Sequence, residues 1–517
     1  MTSINTDSVS PAADKTMTHR CSLSDRIKIG AVVLLSLTGI YLISKFILIH
    51  NSIRLDEAQS LWQTSHTLPG TLKVIAQDVH VPLYHIILHY WQIMFGQTIE
   101  AARLLSLLFF MASVPIVYLL SRYILSINWS LFVVVLYSFS PFMNWYANEA
   151  RMYTMLVLIT TISQYFFVKI VQSKGKQGWI GYTLSALIGI YAHYFFLFSL
   201  MAQGIYFLVA RKNFAKYTMY KFIALALLLL AALSPWLLYF RSLGSASNTS
   251  PNLQAPSSVD FSNVYSQFLF GFQNDAVNTI LLSLWPLLVV AALLFVRQGQ
   301  KLSSATGYLL TASLLPVALA YAVSLAVTPF FISRYMIACV PPLLIVSVWL
   351  ISNYSKGLYI AMSALVIGVV AATSFQQYSS RTTPVQEDFK AAAQYISSQS
   401  KSSDVVVLSA PFSVYPFNYY YGGGSRVMTL PIWDRTVPGA IPAFDPAQLD
   451  KQAKQLNRNH QYVYLLLSSD QGYQEEIFQY YEQRFENTAT MRFSPDLELQ
   501  VYRVGYNQIK PYSELNL

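Results

Sequence analysis

Charged residues are scarce in this chain. Asp, Glu, Lys and Arg make up 11% of its 517 residues and hydrophobic residues 54%, whereas roughly a quarter of a soluble domain is charged. This composition excludes an ordinary soluble domain and indicates an integral membrane protein. The two cysteines, Cys21 and Cys339, are far apart in sequence, so they suggest neither a disulfide framework nor a cysteine-based metal site.

The excess of basic over acidic residues is modest. Lys and Arg number 34 and Asp and Glu 24, which gives a formal net charge of +10. Many of the basic residues stand in short groups between apolar runs, as they do in the cytoplasmic loops of membrane proteins. The charge therefore predicts a topology in the lipid bilayer, and nothing indicates a nucleic-acid partner.

Long apolar runs fill most of the first three quarters of the chain. A membrane helix needs about 20 apolar residues, so these runs predict about eleven spans. The predicted spans are 27–49, 103–123, 129–147, 152–171, two short spans within 179–210, 222–240, 277–296, 305–327, 335–351 and 358–375. Arg26 and Lys28 place the polar leader, 1–26, in the cytoplasm, and an odd number of spans places the C-terminus outside the inner or plasma membrane.

The segment 81–96, "VPLYHIILHYWQIMFG", is apolar but short for a span. His85, His89 and Gln92 fall at i, i+4 and i+7, so they form a polar stripe on one helical face. We therefore predict an interfacial helix within an external loop, 50–102. If 81–96 crossed the membrane, the most basic loop, 210–221, would face outward.

The composition changes after Pro384, where helical and strand patterns begin to alternate. This alternation predicts a small extracytoplasmic α/β domain at 384–517. The fold class is thus a polytopic α-helical membrane protein, 27–376, with this domain at its C-terminal end.

Polar groups near the predicted membrane surface gather on the external side. Charged groups near bilayer depth are costly unless they are paired or line a polar cavity, so several at matching depth predict one outward-facing site. They are Asp56, Glu57, His80, His85, His89, Glu149, Arg151, Tyr153, His193, Tyr194, Arg334 and Tyr335. The alternative is a set of ordinary interfacial residues at helix ends.

Taken one at a time, these residues do not distinguish a functional site from ordinary interfacial residues. Asp56 suits the N-cap of a helix that begins with Glu57, or a general base that His80 or Tyr84 orients. Arg151 and Arg334 suit snorkelling side chains, or forked donors to a phosphate group. The histidines at 80, 85 and 89 raise the possibility of zinc, although no H-E-x-x-H motif accompanies them.

Five motifs follow one another in an order that resembles a known family. They are "LDEAQSLW" at 55–62, "HVPLYHIILHYW" at 80–91, "SPFMNWYANEARMY" at 140–153, "YAHYFFLF" at 191–198 and "FFISRYMIACVPPLL" at 330–344. Across 50–350 the chain resembles bacterial GT-C class glycosyltransferases related to the protein O-mannosyltransferases and the lipid A aminoarabinose transferase. The tail after 384 is similar to the extracytoplasmic tails of such enzymes.

The resemblance implies an inverting glycosyltransferase that takes its sugar from a polyprenyl-phosphate donor and needs no further cofactor. Asp56 would be the general base and Glu57 its support. Binding of substrate and phosphate would fall to His80, Tyr84, Arg151, Tyr153, His193 and Arg334. His80 stands in "HVPLY", where relatives have "HPPLY", and this departure concerns the local turn.

The resemblance also bears on a metal. Related oligosaccharyltransferases carry an Asp-x-Asp motif in the second external loop, where this chain reads "NEARMY". We therefore expect a metal-independent enzyme, with Glu149 as the one candidate ligand if a divalent ion is needed. Arg54 is interpreted as an interfacial anchor.

The alternative function is a polytopic transporter or a lipid or glycolipid flippase. Transporters place ionisable residues at the midplane and are built from repeats, whereas here those residues gather at one face and no repeat is visible. A binding protein that uses only 384–517 would leave the membrane part unexplained. The sequence names neither the sugar nor the acceptor, which could be a protein hydroxyl, a lipid or a cell-envelope glycan.

Overall fold

The computed structural model describes residues 22–78, 80–243, 254–295, 302–380, 387–436, 441–469 and 472–505. Most of the predicted leader, Cys21, part of the predicted loop at 241–275, the predicted start of the C-terminal domain at 384 and the segment 506–517 lie outside the described residues. The three predicted domain boundaries stay predictions.

Sixteen helices precede the C-terminal domain in the described part of the chain. They are α1 (Leu23–Ile43), α2 (Leu55–Thr64), α3 (Leu68–Ala76), α4 (Leu83–Phe95), α5 (Ile99–Ser121), α6 (Ile127–Ser138), α7 (Pro141–Ala147), α8 (Tyr153–Gln172), α9 (Trp179–Ala192), α10 (Phe196–Val209), α11 (Thr218–Ser242), α12 (Ser258–Phe270), α13 (Asp275–Phe295), α14 (Ser304–Ala326), α15 (Val340–Ser352) and α16 (Lys356–Ser379). A π-helical turn, Ser44–Leu48, extends α1, and 3-10 turns occupy Arg211–Asn213 and Ser333–Cys339.

Seven helices among the described residues are long and apolar enough to cross a membrane, or eight if one bent pair forms a single span. They are α1 with its π-helical turn, α5, α8, α11, α14, α15 with its 3-10 turn, and α16. This confirms a multi-pass helical membrane protein by length and composition. The predicted count of about eleven is not confirmed, although α9 and α10 meet at His193 as predicted.

One predicted span is wrong as a straight helix. The run 129–147 forms α6 and α7, which meet at an angle of 56°. Pro141 has no amide hydrogen, so it favours the first turn of a new helix. Ser140 caps this helix by accepting a hydrogen bond from the Met143 amide at 3.3 Å, and α7 consequently turns toward the external cluster.

The first external loop, 50–102, folds into α2, α3 and α4. As predicted, α4 occupies most of 81–96, and it ends at Gly96, whose φ of +91° favours glycine. Its polar stripe faces the protein interior, while Ile93 and Met94 are 67% and 71% exposed. The helix therefore presents an apolar face outward, as expected of a helix at the membrane surface.

The C-terminal α/β domain has five strands and four helices among the described residues. They are α17 (Phe389–Gln399), β1 (Val405–Ser409), α18 (Val414–Tyr420), β2 (Arg426–Thr429), α19 (Pro446–Asn457), β3 (Tyr462–Ser468), α20 (Gln474–Arg484), β4 (Glu486–Ser494) and β5 (Leu497–Arg503). The strand order is β2-β1-β3-β5-β4; β1 runs parallel to β2 and β3, and β5 runs antiparallel to β3 and β4. The sequence pattern predicted this domain but missed α18 and β2.

A single apolar core joins the helical part to the C-terminal domain. In the helical part it includes Phe110 on α5 and Leu156 on α8, two helices that pack against each other. The same cluster continues into the C-terminal domain through Val406 and Phe417. The domain is therefore attached to the helices by buried contacts as well as by the chain itself.

Candidate functional site

Asp56 lies in the first turn of α2 and faces Arg334 from the 3-10 turn before α15. Asp56 Oδ2 is 3.2 Å from Arg334 Nη1, and the two side chains are 23% and 29% exposed. Burial alone would raise the pKa of Asp56, but the guanidinium groups of Arg334 and Arg151 outweigh it and hold the pKa below the usual range. The carboxylate is therefore ionised at neutral pH and partly accessible.

Asp56 is not the helix cap that the sequence suggested. Arg54 is the N-cap residue of α2, and its amide donates a hydrogen bond to Glu57 Oε2 at 3.0 Å. Glu57 thus closes the end of the helix, as the acidic residue of a capping box does. The prediction of an Asp56 cap is wrong, and its carboxylate is left free for other contacts.

Glu57 is fully buried and is satisfied by four donors. Arg103 on α5 binds it with two hydrogen bonds, Nε to Oε1 at 2.9 Å and Nη2 to Oε2 at 2.6 Å. The amides of Arg54 and Ala150 donate the other two. These bonds leave Glu57 no access to a substrate, so it acts on Asp56 only by fixing the start of α2.

Arg103 is a buried residue of the site that was not predicted from the sequence. It is fully buried, and its remaining N–H groups donate to the backbone oxygens of Ile49, Asn51 and Ser52. It therefore ties the end of the first helix to the start of α2. An arginine inside an otherwise apolar helix is a sign of a functional or paired residue. The predicted span, however, began at Arg103, so this arginine was interpreted as the end of a helix.

Arg151 contacts α2 from the other side. Its Nη1 donates to the backbone oxygen of Asp56 at 3.2 Å and to Ser60 Oγ at 2.8 Å, and its Nη2 lies 3.3 Å from His80 Nε2. Burial and the cation of Arg151 lower the pKa of His80 to about 3. His80 is therefore neutral near pH 7 and can accept a hydrogen bond from Arg151.

Tyr84, Gln59 and Gln63 form hydrogen bonds to residues next to His80 and Arg151. Tyr84 Oη lies 3.3 Å from Ser106 Oγ, which in turn donates to the backbone oxygen of Arg151. Gln59 and Gln63 both donate to Asp78, whose Oδ2 is 3.7 Å from His80 Nε2. This network anchors α2, the His80 loop and the Arg151 loop to one another.

Tyr153 and His193 form an aromatic wall beside Arg334. Their ring centroids are 6.2 Å apart, and the Arg334 guanidinium carbon is 6.0 Å from the Tyr153 ring centroid. His193 also lies 5.9 Å from Tyr335. Burial lowers the pKa of His193 to about 3, and the cations of Arg151 and Arg334 contribute to this lowering, so the wall is uncharged.

Arg54 and Glu149 form a second ion pair next to the first. Arg54 Nη1 lies 2.6 Å from Glu149 Oε2, and the guanidinium carbon lies 3.6 Å from the Trp145 ring centroid. Arg54, interpreted from the sequence as an interfacial anchor, thus makes an ion pair and a stacking contact within the cluster. Burial raises the pKa of Glu149 although Arg54 opposes this effect, and the ion pair occupies the carboxylate that had been the candidate metal ligand.

The histidines of α4 do not converge on a metal. His89 Nδ1 lies 2.9 Å from the backbone oxygen of Thr64, whereas His85 stacks on His80 with ring centroids 5.3 Å apart. Within the described ranges, no group of three or more His, Cys, Asp and Glu side chains is placed to hold a metal ion. Independence of a metal stays a prediction.

The structure brings most of the sequence-predicted site residues into one cluster, whereas His89 bonds to the Thr64 backbone and Tyr194 packs in a separate apolar cluster. The main cluster contains four guanidinium groups, from Arg54, Arg103, Arg151 and Arg334, and three carboxylates. Arg103 is paired with Glu57 and Arg54 with Glu149, so Arg151 and Arg334 are the two guanidinium groups next to Asp56. The Nε atoms of both arginines are buried and have no hydrogen-bond partner among the described residues. The cluster can therefore take an anion beside an ionised carboxylate.

Comparison with known proteins agrees with the predicted class. Residues 79–239 match the family model described as dolichyl-phosphate-mannose-protein mannosyltransferase. The apo crystal structure of ArnT from Cupriavidus metallidurans is similar with a TM-score of 0.57 at 10% identity, covering 92% of this chain and 97% of that chain. The structure of ArnT bound to undecaprenyl phosphate gives a TM-score of 0.56 at 12% identity, covering 95% and 100%.

These matches confirm the predicted GT-C fold and the resemblance to this class of membrane glycosyltransferases. The family model covers the His80, Arg151 and His193 motifs but neither Asp56 nor Arg334. No curated protein is significantly similar to the chain in sequence.

Proposed function

We propose that this protein is an inverting glycosyltransferase that moves a sugar from a polyprenyl-phosphate donor to an acceptor hydroxyl on the extracytoplasmic face of the membrane. The observation that carries the proposal is the ionised Asp56 carboxylate, which pairs with Arg334 while Arg151 binds the Asp56 backbone oxygen. Among the described residues, neither arginine has a hydrogen-bond partner for its Nε donor. In this topology the N-terminus is cytoplasmic and the C-terminal α/β domain lies outside.

Asp56 serves as the general base. Its carboxylate takes the proton of the acceptor hydroxyl while the hydroxyl oxygen attacks the anomeric carbon of the sugar. The bond from that carbon to the phosphate oxygen breaks on the opposite side, so the configuration inverts. The side chain is 23% exposed, which leaves room for a hydroxyl to approach.

Arg334 and Arg151 stabilise the departing lipid phosphate. A phosphate monoester leaves as an anion, so it needs positive charge and hydrogen-bond donors in place and no protonation by an acid. Forked guanidinium groups supply both. Neutral His80 and Tyr84 orient Arg151, while Tyr153 and His193 border the sugar.

Glu57 has a supporting role in this mechanism. It closes the start of α2 and joins that helix to α5 through Arg103. Asp56 directly precedes Glu57 on α2. Loss of the Glu57–Arg103 ion pair would therefore move the Asp56 carboxylate relative to Arg334. Glu57 is therefore a positioning residue.

The comparisons support a lipid-phosphate donor. The family model takes its description from dolichyl-phosphate-mannose, and one of the similar ArnT structures holds undecaprenyl phosphate. Both are polyprenyl phosphates, and a bilayer-embedded chain has direct access to such a lipid. The sugar and the acceptor are left open among a protein hydroxyl, a lipid and an envelope glycan.

A transporter or flippase is the alternative. It would move the lipid-linked sugar across the bilayer intact, so it would release no lipid phosphate. The clustering of ionisable residues at one face, with an ionised carboxylate among them, favours chemistry over transport.

The decisive experiment supplies membranes that contain the protein with a panel of radiolabelled polyprenyl-phosphate sugars and measures free lipid phosphate. We expect release with one or a few sugars, and release that requires an acceptor fraction. Transfer of label across sealed vesicles with no lipid phosphate released, for every sugar, would contradict the proposal and favour the flippase.

A further inference from the structure

Two neighbouring tyrosines at the end of α18 reach from the C-terminal domain to the helices that build the site. Tyr420 Oη accepts a hydrogen bond from the Ile53 amide at 3.0 Å. Tyr419 Oη accepts one from the Ile99 amide at 2.8 Å. Each phenol therefore serves as a hydrogen-bond acceptor for the helical part of the protein.

The two amides lie at the starts of α2 and α5, the helices that carry Asp56 and Arg103. Ile53 directly precedes Arg54, the N-cap residue of α2, and Ile99 is the first residue of α5. Amides at a helix start have no partner within their own helix. Ile53 is 1% exposed and Ile99 3% exposed, so without the phenols these N–H groups would be buried and unsatisfied, which costs free energy.

Both helix starts lead directly into the catalytic cluster. Asp56 and Glu57 follow Ile53 within one turn of helix, and Arg103 stands one turn after Ile99. The Glu57 to Arg103 bond joins the two starts from inside, and the tyrosine pair joins them from the C-terminal domain. The starts of α2 and α5 are therefore connected twice, once by the ion pair and once through the C-terminal domain.

A second contact holds α18 along the length of α2. The Trp62 and Tyr415 ring centroids are 5.3 Å apart, and the Arg435 guanidinium carbon lies 5.4 Å and 5.5 Å from those rings. Tyr415 stands at the start of α18, whereas Tyr419 and Tyr420 stand at its end. The helix α18 is therefore fixed against the external loop at both ends.

We infer that Tyr419 and Tyr420 are positioning residues through which the C-terminal domain sets the register of α2 against α5 and thereby aims Asp56 at Arg334. This inference rests on the proposed function and assigns the C-terminal domain a part in catalysis. The domain is then a necessary part of the enzyme, because it supplies the acceptors for the Ile53 and Ile99 amides.

The test replaces each tyrosine with phenylalanine in the full chain. Tyr419→Phe and Tyr420→Phe keep the rings but remove the oxygens. Tyr421→Phe is the matched control. Among the described residues, the Tyr421 hydroxyl bonds within the C-terminal domain, to the backbone of Ser425 at 3.1 Å and 3.3 Å, and lies 3.4 Å from Ser400 Oγ. The double variant Tyr419→Phe/Tyr420→Phe removes both acceptors.

Two readouts are measured on these variants. Amide hydrogen exchange should become faster at Ile53 in Tyr420→Phe and at Ile99 in Tyr419→Phe. For the double variant we expect kcat to fall by about tenfold, the order of effect that a small misplacement or a lost buried hydrogen bond produces, while KM for the lipid donor changes little.

The pH profile separates positioning from a loss of folded enzyme. If α2 moves away from Arg334, the pKa of Asp56 rises, so the acid limb of kcat/KM shifts to higher pH in the double variant and not in Tyr421→Phe. A lower content of active enzyme would reduce the rate equally at every pH and would overturn the inference.

The inference would also be overturned if exchange at both amides stayed as in the wild type, or if exchange rose while kcat and the acid limb did not change. Failure of the proposed function is a different result. In that case the wild type releases no lipid phosphate, and the exchange experiment alone decides whether the tyrosines hold the two helix starts.

Discussion

Arg334 Nη1 lies 3.2 Å from Asp56 Oδ2, which joins the turn before α15 to the first turn of α2. The pair is only partly buried, so the carboxylate is both charged and reachable. Arg151 holds the opposite side of the same turn through the Asp56 backbone oxygen and Ser60. These contacts define what the proposed base needs: ionisation, access and a fixed position.

The first prediction concerns the acid limb of the pH profile. Arg334 is the largest contributor to the low pKa of Asp56, so Arg334→Gln should raise that pKa. A base works only when ionised, and its activity is lost as pH falls through its pKa. The acid limb of kcat/KM should therefore move to higher pH in this variant, in addition to a lower rate.

The control for that prediction is Arg241→Gln, because Arg241 is an exposed arginine at the end of α11. Its pH profile should match the wild type. An acid limb that stays in place in Arg334→Gln would contradict the assignment of that limb to Asp56.

The second prediction concerns the buried pair of Glu57 and Arg103. Arg103→Met should leave Glu57 with a buried charge and no cation, which costs about 3–5 kcal/mol of stability. Thermal unfolding in detergent measures this loss. Because the two residues share one interaction, the double variant Glu57→Gln/Arg103→Met should lose much less than the sum of the two single variants. Additive losses would show that the pair does not act as a unit.

The third prediction distinguishes a structural ion pair from a membrane anchor at Arg54. Arg54→Met should destabilise the protein, since it leaves buried Glu149 without its partner and removes the stack on Trp145. Arg54→Lys keeps the charge but loses the planar stack, a contact worth about 0.5–2 kcal/mol, so it should rank between the wild type and Arg54→Met. Equal melting temperatures for all three proteins would restore the anchor interpretation.

The fourth prediction concerns topology. A reporter inserted at residue 90, on the exposed side of α4, and one fused after residue 505 should both be active on the extracytoplasmic side. A reporter in the basic loop at 210–221 should be active in the cytoplasm. A cytoplasmic result at residue 90 would separate Asp56 and His80 from Arg151 and would contradict the shared site.

The residues of the cluster could be predicted because their positions follow from where the apolar runs end in the sequence. Asp56, Arg151, His193 and Arg334 all stand where an apolar run ends on the external side, so topology alone brings them to one surface. The order of motifs then suggested their roles, which stay predictions until they are measured. The same reasoning predicted the helix at α4, since its polar stripe is local.

Pairing within the cluster could not be predicted in this way. Glu57 with Arg103 and Arg54 with Glu149 are contacts between segments far apart in sequence. Nothing local distinguishes a residue that closes an ion pair from one that snorkels. The bend at Pro141 was missed because an apolar run hides a helix start. The docking of α18 was missed because its tyrosines act through single hydroxyl groups, which leave no periodic pattern.

The most direct test of the account is lipid phosphate release by Asp56→Asn. The variant keeps the size and the helix position of the side chain but cannot take a proton, so release from the preferred polyprenyl-phosphate sugar should fall by about 10²–10⁴-fold. Membrane insertion should be unchanged, and Asp275→Asn, at an exposed aspartate of α13, should retain wild-type release. Release by Asp56→Asn at the wild-type rate would contradict the claim that Asp56 is the catalytic base.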